Sequence, residues 1–470
     1  MLFPTIDYAL FFLVAFAVAW GLRGLHQARK GFLLLASWVF YGFADWRFVP
    51  LLVLVSLLGG VVAMALERTT RPGLRKALVA FAVAANLLLL LVFKYLSFAA
   101  ASLLSGLEAF GLSPGPVHLP ELALPVGVSF FAFHAISLVV DAYRRTIPVP
   151  VRLLDALLYV AFFPQLVAGP ILRASSFLPQ LAAPARAPLD VPRALELLAV
   201  GLVKKVLVAQ VLGTHLVDLV FEAPGAHAPL EVLLGIYGYA AQIYCDFSGY
   251  SDLATGSALL LGYEFPLNFD APYRAQSPQQ FWRKWHISLS SWLRDYLFIP
   301  LGGSRRGSTS VNLLITMVLG GLWHGAGLTF LLWGLLHGVG LVVHRAWAQA
   351  GGAVARLRKT RGWAVAAVVL TFHFVCLGWV FFRAPTFPAA LDVLAALVHP
   401  GPAHSLPPVL ALLVLGALLG PLVPASARER WRSGFSRWPL VAQGAAAALV
   451  VWLVDALGPR GIAPFIYFRF

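Results

Sequence analysis

The chain has 470 residues, of which 60% are hydrophobic and only 12% charged, and its mean hydropathy is +0.81. A soluble domain is roughly 25% charged, so a soluble fold is excluded. Lys and Arg number 35 against 20 Asp and Glu, a formal charge of +15; where those charges fall decides whether they serve nucleic acid or membrane topology.

Apolar stretches of the length a helix needs to cross a bilayer recur near 7–22, 31–44, 50–66, 77–97, 122–141, 193–220, 229–245, 311–347 (long enough for two passes), 363–382, 406–424 and 438–457. Shorter stretches at 152–172 and 250–264 read as broken or re-entrant. The pattern predicts an all-α polytopic membrane protein with about ten to twelve transmembrane or re-entrant helices. The residues ahead of the first span include Asp7 and no Lys or Arg. A cleaved signal peptide would carry a basic leader, so the span is expected to remain.

Basic residues cluster after alternate spans. Arg23, Arg29 and Lys30 follow the first, Arg68, Arg71, Arg75 and Lys76 the third, and Arg144, Arg145 and Arg152 the fifth. The connections around Asp45 and from Ser105 to Leu119 carry little positive charge apart from Arg47. Cytoplasmic loops hold the excess Lys and Arg, which places the N-terminus outside. Arg356, Arg358, Lys359 and Arg361, then Arg428, Arg430, Arg432 and Arg437, mark two later cytoplasmic loops, and the Lys- and Arg-free connection from Ala384 to Leu406 faces outward. The basicity thus predicts topology, with no nucleic-acid partner. Cys245 and Cys376, in apolar surroundings, suggest neither a disulfide framework nor a metal motif; each reads as a small buried apolar residue.

The segment from Asn268 to Ser310 is the most polar and most patterned part of the interior. Ser277-Pro278-Gln279-Gln280 reads as a helix start, with Ser as N-cap and Pro at the first helical position. Phe281, Trp285, Leu289, Trp292 and Tyr296 then form one apolar stripe at helical spacing, opposed by Lys284, Ser288, Ser291 and Asp295. The spacing predicts an amphipathic helix at an interface or lining a cavity, ended by Pro300 and Gly302-Gly303. His286 falls at the border of the two stripes, where an anchoring and a pocket-facing role are equally compatible with the pattern.

His324 lies in Gly320-Gly321-Leu322-Trp323-His324-Gly325, inside an apolar run from about Val311 to Val343. An ionisable residue at such depth is a functional-site hypothesis by default. Gly320, Gly321, Gly325 and Gly327 leave room for a backbone or a ligand beside it. A core histidine bonded to a neighbouring helix is the competing reading. By helical angle His337 and His344 point away from His324 and read as packing or interfacial residues, as do His134 and His373. G-x-S-x-G, H-E-x-x-H, Walker A and G-x-G-x-x-G motifs are missing from the sequence, which leaves serine-hydrolase, zinc-protease and nucleotide-driven chemistry without support. Burial favours the neutral imidazole. That form can take a proton from a hydroxyl, which makes the hydroxyl a nucleophile toward an activated acyl group such as a thioester. Transporters use buried histidines as proton relays too; they would be expected to show inverted repeats or paired broken helices, and none is detected.

Several stretches, in order along almost the whole chain, resemble the membrane-bound O-acyltransferase (MBOAT) family, most closely its branch in bacterial alginate O-acetylation. They are Leu124-Pro125-Val126-Gly127-Val128-Ser129-Phe130, Asp141-Ala142-Tyr143-Arg144, and the run from Phe163 to Arg173. Tyr244-Cys245-Asp246-Phe247-Ser248-Gly249-Tyr250-Ser251-Asp252 and the run from Phe281 to Ser290 follow. The Trp323-His324-Gly325 motif, Gly378 to Arg383, and Phe465-Ile466-Tyr467-Phe468 complete the series.

The resemblance implies one membrane domain over 1–470, with N-terminal spans in 1–150, a catalytic core in 151–347 and C-terminal spans in 348–470. It implies a funnel joined to a tunnel and no metal. It also implies the inner membrane of a bacterium, which makes the outer N-terminus periplasmic. Acetyl-CoA would arrive from the cytoplasm. The acceptor would be a hydroxyl of an exopolysaccharide or a periplasmic relay acetyltransferase. His324 matches the family's catalytic histidine and is expected to activate the acceptor hydroxyl. His286 matches the second active-site histidine, which would position the donor or stabilise charge on its carbonyl. Asp246, Ser248, Tyr250 and Asp252 are expected either in the pocket or as a polar brace, with Trp282, Arg283, Trp285 and Trp323 nearby. Arg283 and Lys284 suit CoA phosphates or lipid headgroups equally. The runner-up within the family is D-alanyl transfer from a carrier-protein thioester to a cell-wall polymer.

Overall fold

The computed structural model describes residues 1, 3–112, 123–184, 190–399, 401–404, 406–459 and 461. The motif from Phe465 to Phe468, and part of the connection from Ser105 to Leu119, lie outside them. Every regular element among the described residues is helical. The chain divides into two units, Met1–Leu189 with Leu260–Tyr263, and Asp190–Leu259 with Glu264–Phe470.

The first unit runs through α1 (Ile6–Gly21), α2 (His26–Asp45), α3 (Val49–Arg68), α4 (Pro72–Leu90), α5 (Leu96–Ala109), α6 (Val128–Arg144), α7 (Leu153–Ala161), α8 (Phe163–Leu166) and α9 (Ala174–Ala182). The stretch 152–172 is broken, as its sequence suggests. Helix stops after Ala161 and again after Leu166, and side chains replace the missing ladder bonds. Ser37 Oγ accepts from Phe163 N (3.1 Å), His134 Nε2 accepts from Leu172 N (3.1 Å), and Tyr159 donates to Leu172 O (2.8 Å). Gly127, at φ 71°, lies so near Leu166 O that a Cβ would meet it at 2.8 Å; only glycine fits that turn.

Some of the basic residues that cluster after the apolar stretches are buried and paired. Lys30 forms a buried ion pair with Asp155 (2.5 Å). Arg29 is spent on Ala19 O, Leu261 O and the Tyr263 hydroxyl. Arg75 caps helix ends, donating to Thr69 O and Tyr143 O. Charges this deep persist because each finds fixed acceptors. Residues such as Leu10, Leu13, Leu54, Phe81 and Leu88 point outward and leave an apolar exterior.

The second unit begins with a helical run from Val191 to Glu222 that opens with α10 (Val191–Leu202), widens into π turns at Val203–Gln210 and Gly213–Val217, and closes as α11 (Asp218–Glu222). It is followed by α12 (Pro229–Leu260), one helix of 32 residues. The stretches 229–245 and 250–264 are therefore not separate elements, because the small and polar residues between them pack instead of breaking the helix. Glycines draw the two runs together antiparallel. A Cβ on Gly201 would meet Gly249 O at 2.8 Å, and one on Gly256 would meet Ala194 O at 2.9 Å. Such small-residue seams let helix backbones touch in a membrane.

Then come α13 (Pro278–Lys284), α14 (Ile287–Leu293), α15 (Thr309–His324), α16 (Leu328–Gln349), α17 (Gly352–Leu357), α18 (Arg361–Arg383), α19 (Phe387–Ala395), α20 (Pro408–Leu419), α21 (Ala425–Phe435) and α22 (Leu440–Leu457). The stretch 311–347 is a hairpin broken at Gly325–Gly327. Its seam is glycine again: a Cβ on Gly321 would lie 2.3 Å from Phe330 O, and one on Gly334 would lie 2.4 Å from Met317 O.

Five helical runs among the described residues are long and apolar enough to cross a membrane, or six if the pair bent by 93° at Pro408–Leu422 and Ser426–Phe435 is one span. Ile6–Gly21 and Thr309–His324 are apolar but shorter. The protein is a polytopic, all-α membrane protein.

Candidate active site

The site residues lie in the second unit and are built from α12, the segment between it and α13, the α13–α14 break, and the α15–α16 hairpin. The N-cap at Ser277 forms as its sequence predicts: the side chain accepts from Gln280 N, with Pro278 at the first helical position. The predicted continuous amphipathic helix does not form. It breaks at Trp285-His286, where His286 takes left-handed angles, φ 42° and ψ 57°. A non-glycine residue there carries about 1–2 kcal/mol of strain, and tertiary hydrogen bonds offset it. Asp270 N donates to Lys284 O and Ile287 N donates to Asn268 O, each at 2.9 Å. The break moves His286 from the border of a stripe into the interior, with no exposed surface.

Asn268 fixes the ring. Its amide nitrogen donates to Ser251 Oγ on α12 (3.1 Å), which orients its carbonyl oxygen toward Ser288 N (3.2 Å), Ser288 Oγ (2.9 Å) and His286 Nδ1 (3.2 Å). A carbonyl oxygen only accepts, so Nδ1 carries the proton and Nε2 keeps the lone pair. His286 Nε2 is buried and has no hydrogen-bond partner among the described residues. Phe247 and Phe269 wall the ring, the first edge-on at 4.5 Å between centroids.

His324 ends α15, and the chain turns extended at Gly325. A Cβ on Gly325 would overlap the Phe330 ring at 2.1 Å, so the tight exit from the helix needs glycine. The buried imidazole meets Trp323, Trp333 and Phe382 edge-on, at 4.9, 5.0 and 5.3 Å between centroids. Trp323 also contacts His286, at 6.4 Å, so one indole touches both histidines. His337 does not point away. The helical-angle argument treats 311–347 as one helix; the hairpin instead sets Trp333 of α16 against His324, and His337, one turn further along α16, packs on the same ring (4.8 Å). Both ring nitrogens of the fully buried His337 lack hydrogen-bond partners among the described residues.

The carboxylates of the Asp246-to-Asp252 motif are ion-paired. Asp246 pairs with Lys205 and Asp252 with Lys204 (2.7 Å), both lysines coming from the π-helical stretch after α10. Lys205 Nζ also lies 5.0 Å from the Tyr250 ring centroid, and Ser248 is buried beside them. Both carboxylates of the motif are thus matched by lysines from the preceding helical run. Trp282 packs on Trp333 and His337, and Trp285 on Phe281 and Trp379. Arg283 is exposed, and Lys284 pairs with Asp270 at 2.7 Å. Cys245 and Cys376 are free and buried, as their surroundings suggest.

Sequence reasoning missed Asn268, Ser251, Ser288, Trp333 and Phe382. It also missed Lys204 and Lys205, although two lysines inside the apolar stretch 193–220 were a signal that buried counter-ions must exist.

Residues 129–384, more than half of the chain and including both histidines, match the model of the membrane-bound O-acyltransferase family. The chain belongs to that family and is a multi-pass membrane O-acyltransferase. It is 37% identical over 395 residues to the probable alginate O-acetylase AlgI of Pseudomonas aeruginosa, covering 83% of this chain and 73% of that protein. It is 35% identical to the peptidoglycan O-acetyltransferase of Helicobacter pylori over 78% of this chain and 73% of the relative. The teichoic acid D-alanyltransferase of Bacillus subtilis is 26% identical over 60% of this chain and 75% of its own length.

Proposed function

We propose that this enzyme takes the acetyl group of acetyl-CoA at the cytoplasmic face of a bacterial inner membrane and delivers it to a hydroxyl of an extracellular polysaccharide, directly or through a periplasmic acetyltransferase. The N-terminus lies in the periplasm in this reading. One observation supports it most: two buried histidines contact a single indole in a chain 37% identical to an alginate O-acetylase.

His324 acts as the base. Its neutral ring takes the proton of the acceptor hydroxyl while the oxygen attacks the thioester carbonyl. The carbon–sulfur bond breaks, the CoA thiolate leaves, and the imidazolium returns the proton to sulfur. The Nε2 of His286 offers a lone pair, which suits holding the acyl donor through one of its N–H groups. Stabilising negative charge on the carbonyl would need a donor, so the positioning role is the better match. Lys205–Asp246 and Lys204–Asp252 keep α12, and with it Ser251, in place. Transfer of D-alanine from a carrier-protein thioester is the second reading; the D-alanyltransferase likeness supports it at lower identity and coverage.

Membrane vesicles supplied with acetyl-CoA labelled in the acetyl group test the proposal. Wild type is expected to move label to polysaccharide, and His324→Ala to lower the rate by about 10²–10⁴-fold at matched protein level. Label that moves only from a carrier-protein thioester would replace the donor, and undiminished transfer by the variant would remove His324 from the chemistry.

A further inference from the structure

The turn leading into α12 carries a second constellation of titratable groups, away from the motifs of the acyl-transfer site and wholly within the second unit. His227 follows the short turn Pro224–Ala226, Glu231 lies in the first turn of α12, and His404 comes from the segment ahead of α20. His227 Nδ1 is 3.2 Å and His404 Nδ1 is 3.4 Å from the same carboxylate oxygen, Glu231 Oε2. The three ligand atoms lie within 4.8 Å of one another.

Two further observations say that this meeting is built. Glu231 Oε1 accepts from His404 N at 2.5 Å, so the backbone of the segment is tied to the same side chain. A Cβ on Gly401 would lie 2.3 Å from His227 O, so the segment rests on the turn with no room for a side chain. Glu231 Oε2 also faces Ala228 N at 3.2 Å. One carboxylate oxygen has about two lone-pair sites, and here three nitrogens crowd it. A cation resolves the crowding, because both imidazoles can then turn lone pairs toward it. Ligands at 2.0–2.1 Å from a tetrahedral ion stand about 3.3 Å apart, which is the spacing of both Nδ1 atoms from Oε2.

We infer that His227, Glu231 and His404 hold one divalent transition-metal ion of the zinc class, which fastens the segment before α20 to the N-terminus of α12. Two imidazoles and a carboxylate suit zinc and its neighbours over magnesium or calcium, and three protein ligands leave a fourth position for water. The His404 side chain is 51% exposed, so an ion has a path from solvent. The sequence hides the site because 173 residues separate His404 from Glu231. The inference is independent of which acyl donor the enzyme uses.

The test uses the full chain in detergent, purified without a polyhistidine tag, stripped with chelator and titrated with Zn²⁺ alone. Bound metal is counted by mass spectrometry, and affinity is read by calorimetry. The expected result is one ion per wild-type chain and at least a tenfold weaker site in His404→Gln, whose exposed position leaves folding intact by size-exclusion profile. Co²⁺ should give a tetrahedral visible spectrum in wild type that is lost in His227→Gln/His404→Gln. No stoichiometric zinc in wild type, or an undiminished site in that double variant, would overturn the assignment.

Discussion

Two polar constellations share α12 and end differently. At Asp246 and Asp252 each buried or half-buried carboxylate meets a lysine, and the charges balance. At Ser251, Asn268, Ser288 and His286 the hydrogen bonds run inward to one ring and stop, leaving Nε2 open in a buried site. A completed network in low dielectric rigidifies what it joins, whereas an uncompleted one leaves a buried lone pair to be explained, which the proposed function does by assigning it to the acyl donor. The residue types do not distinguish the two; the completeness of their pairing does.

The largest effect expected on the ion-paired constellation comes from removing one of its partners. Lys205→Met removes the lysine that faces the buried Asp246 carboxylate, at a cost of about 3–5 kcal/mol. It should appear as a strongly lowered melting temperature in detergent and a depleted membrane level; a wild-type melt would mean that the pair carries no structural weight. Asn268→Ala should spare most of the fold while freeing the His286 ring, and a misplacement of about 1 Å is enough to lower turnover about 10²-fold. Unchanged kcat and KM in that variant would separate His286 orientation from function. Gly321→Ala tests the hairpin seam, since its new methyl group would lie 2.3 Å from Phe330 O, a backbone overlap that only a shift of the two helices can relieve. Overpacking of this kind costs about 1–3 kcal/mol, and a thermal melt matching wild type would show that the seam can yield.

Much of this was legible in the residues. Apolar runs gave the helices, Ser277-Pro278 gave a helix start, and the glycines around His324 gave a close approach. The break at His286 was hidden because the stripe from Phe281 to Tyr296 continues through it, with no Gly or Pro to mark it. What breaks the helix is Asn268, from a segment whose pairing with residues 284–288 is tertiary. His337 was misplaced for a related reason: a helical angle has no meaning across Gly325–Gly327, where the chain reverses. The role of the aspartates stayed open because their lysine partners lie more than 40 residues upstream, beyond any periodicity.

The contrast between the two constellations is tested most directly by acetyl transfer per folded molecule in two variants. The first is Lys205→Met/Asp246→Leu, which removes both charges of the buried pair and often leaves stability neutral or improved; the second is His324→Ala. The account predicts a double variant that turns over within a few-fold of wild type and a His324 variant that is folded but nearly silent. A folded double variant as inactive as His324→Ala would place the ion pair in the chemistry and contradict the division drawn here.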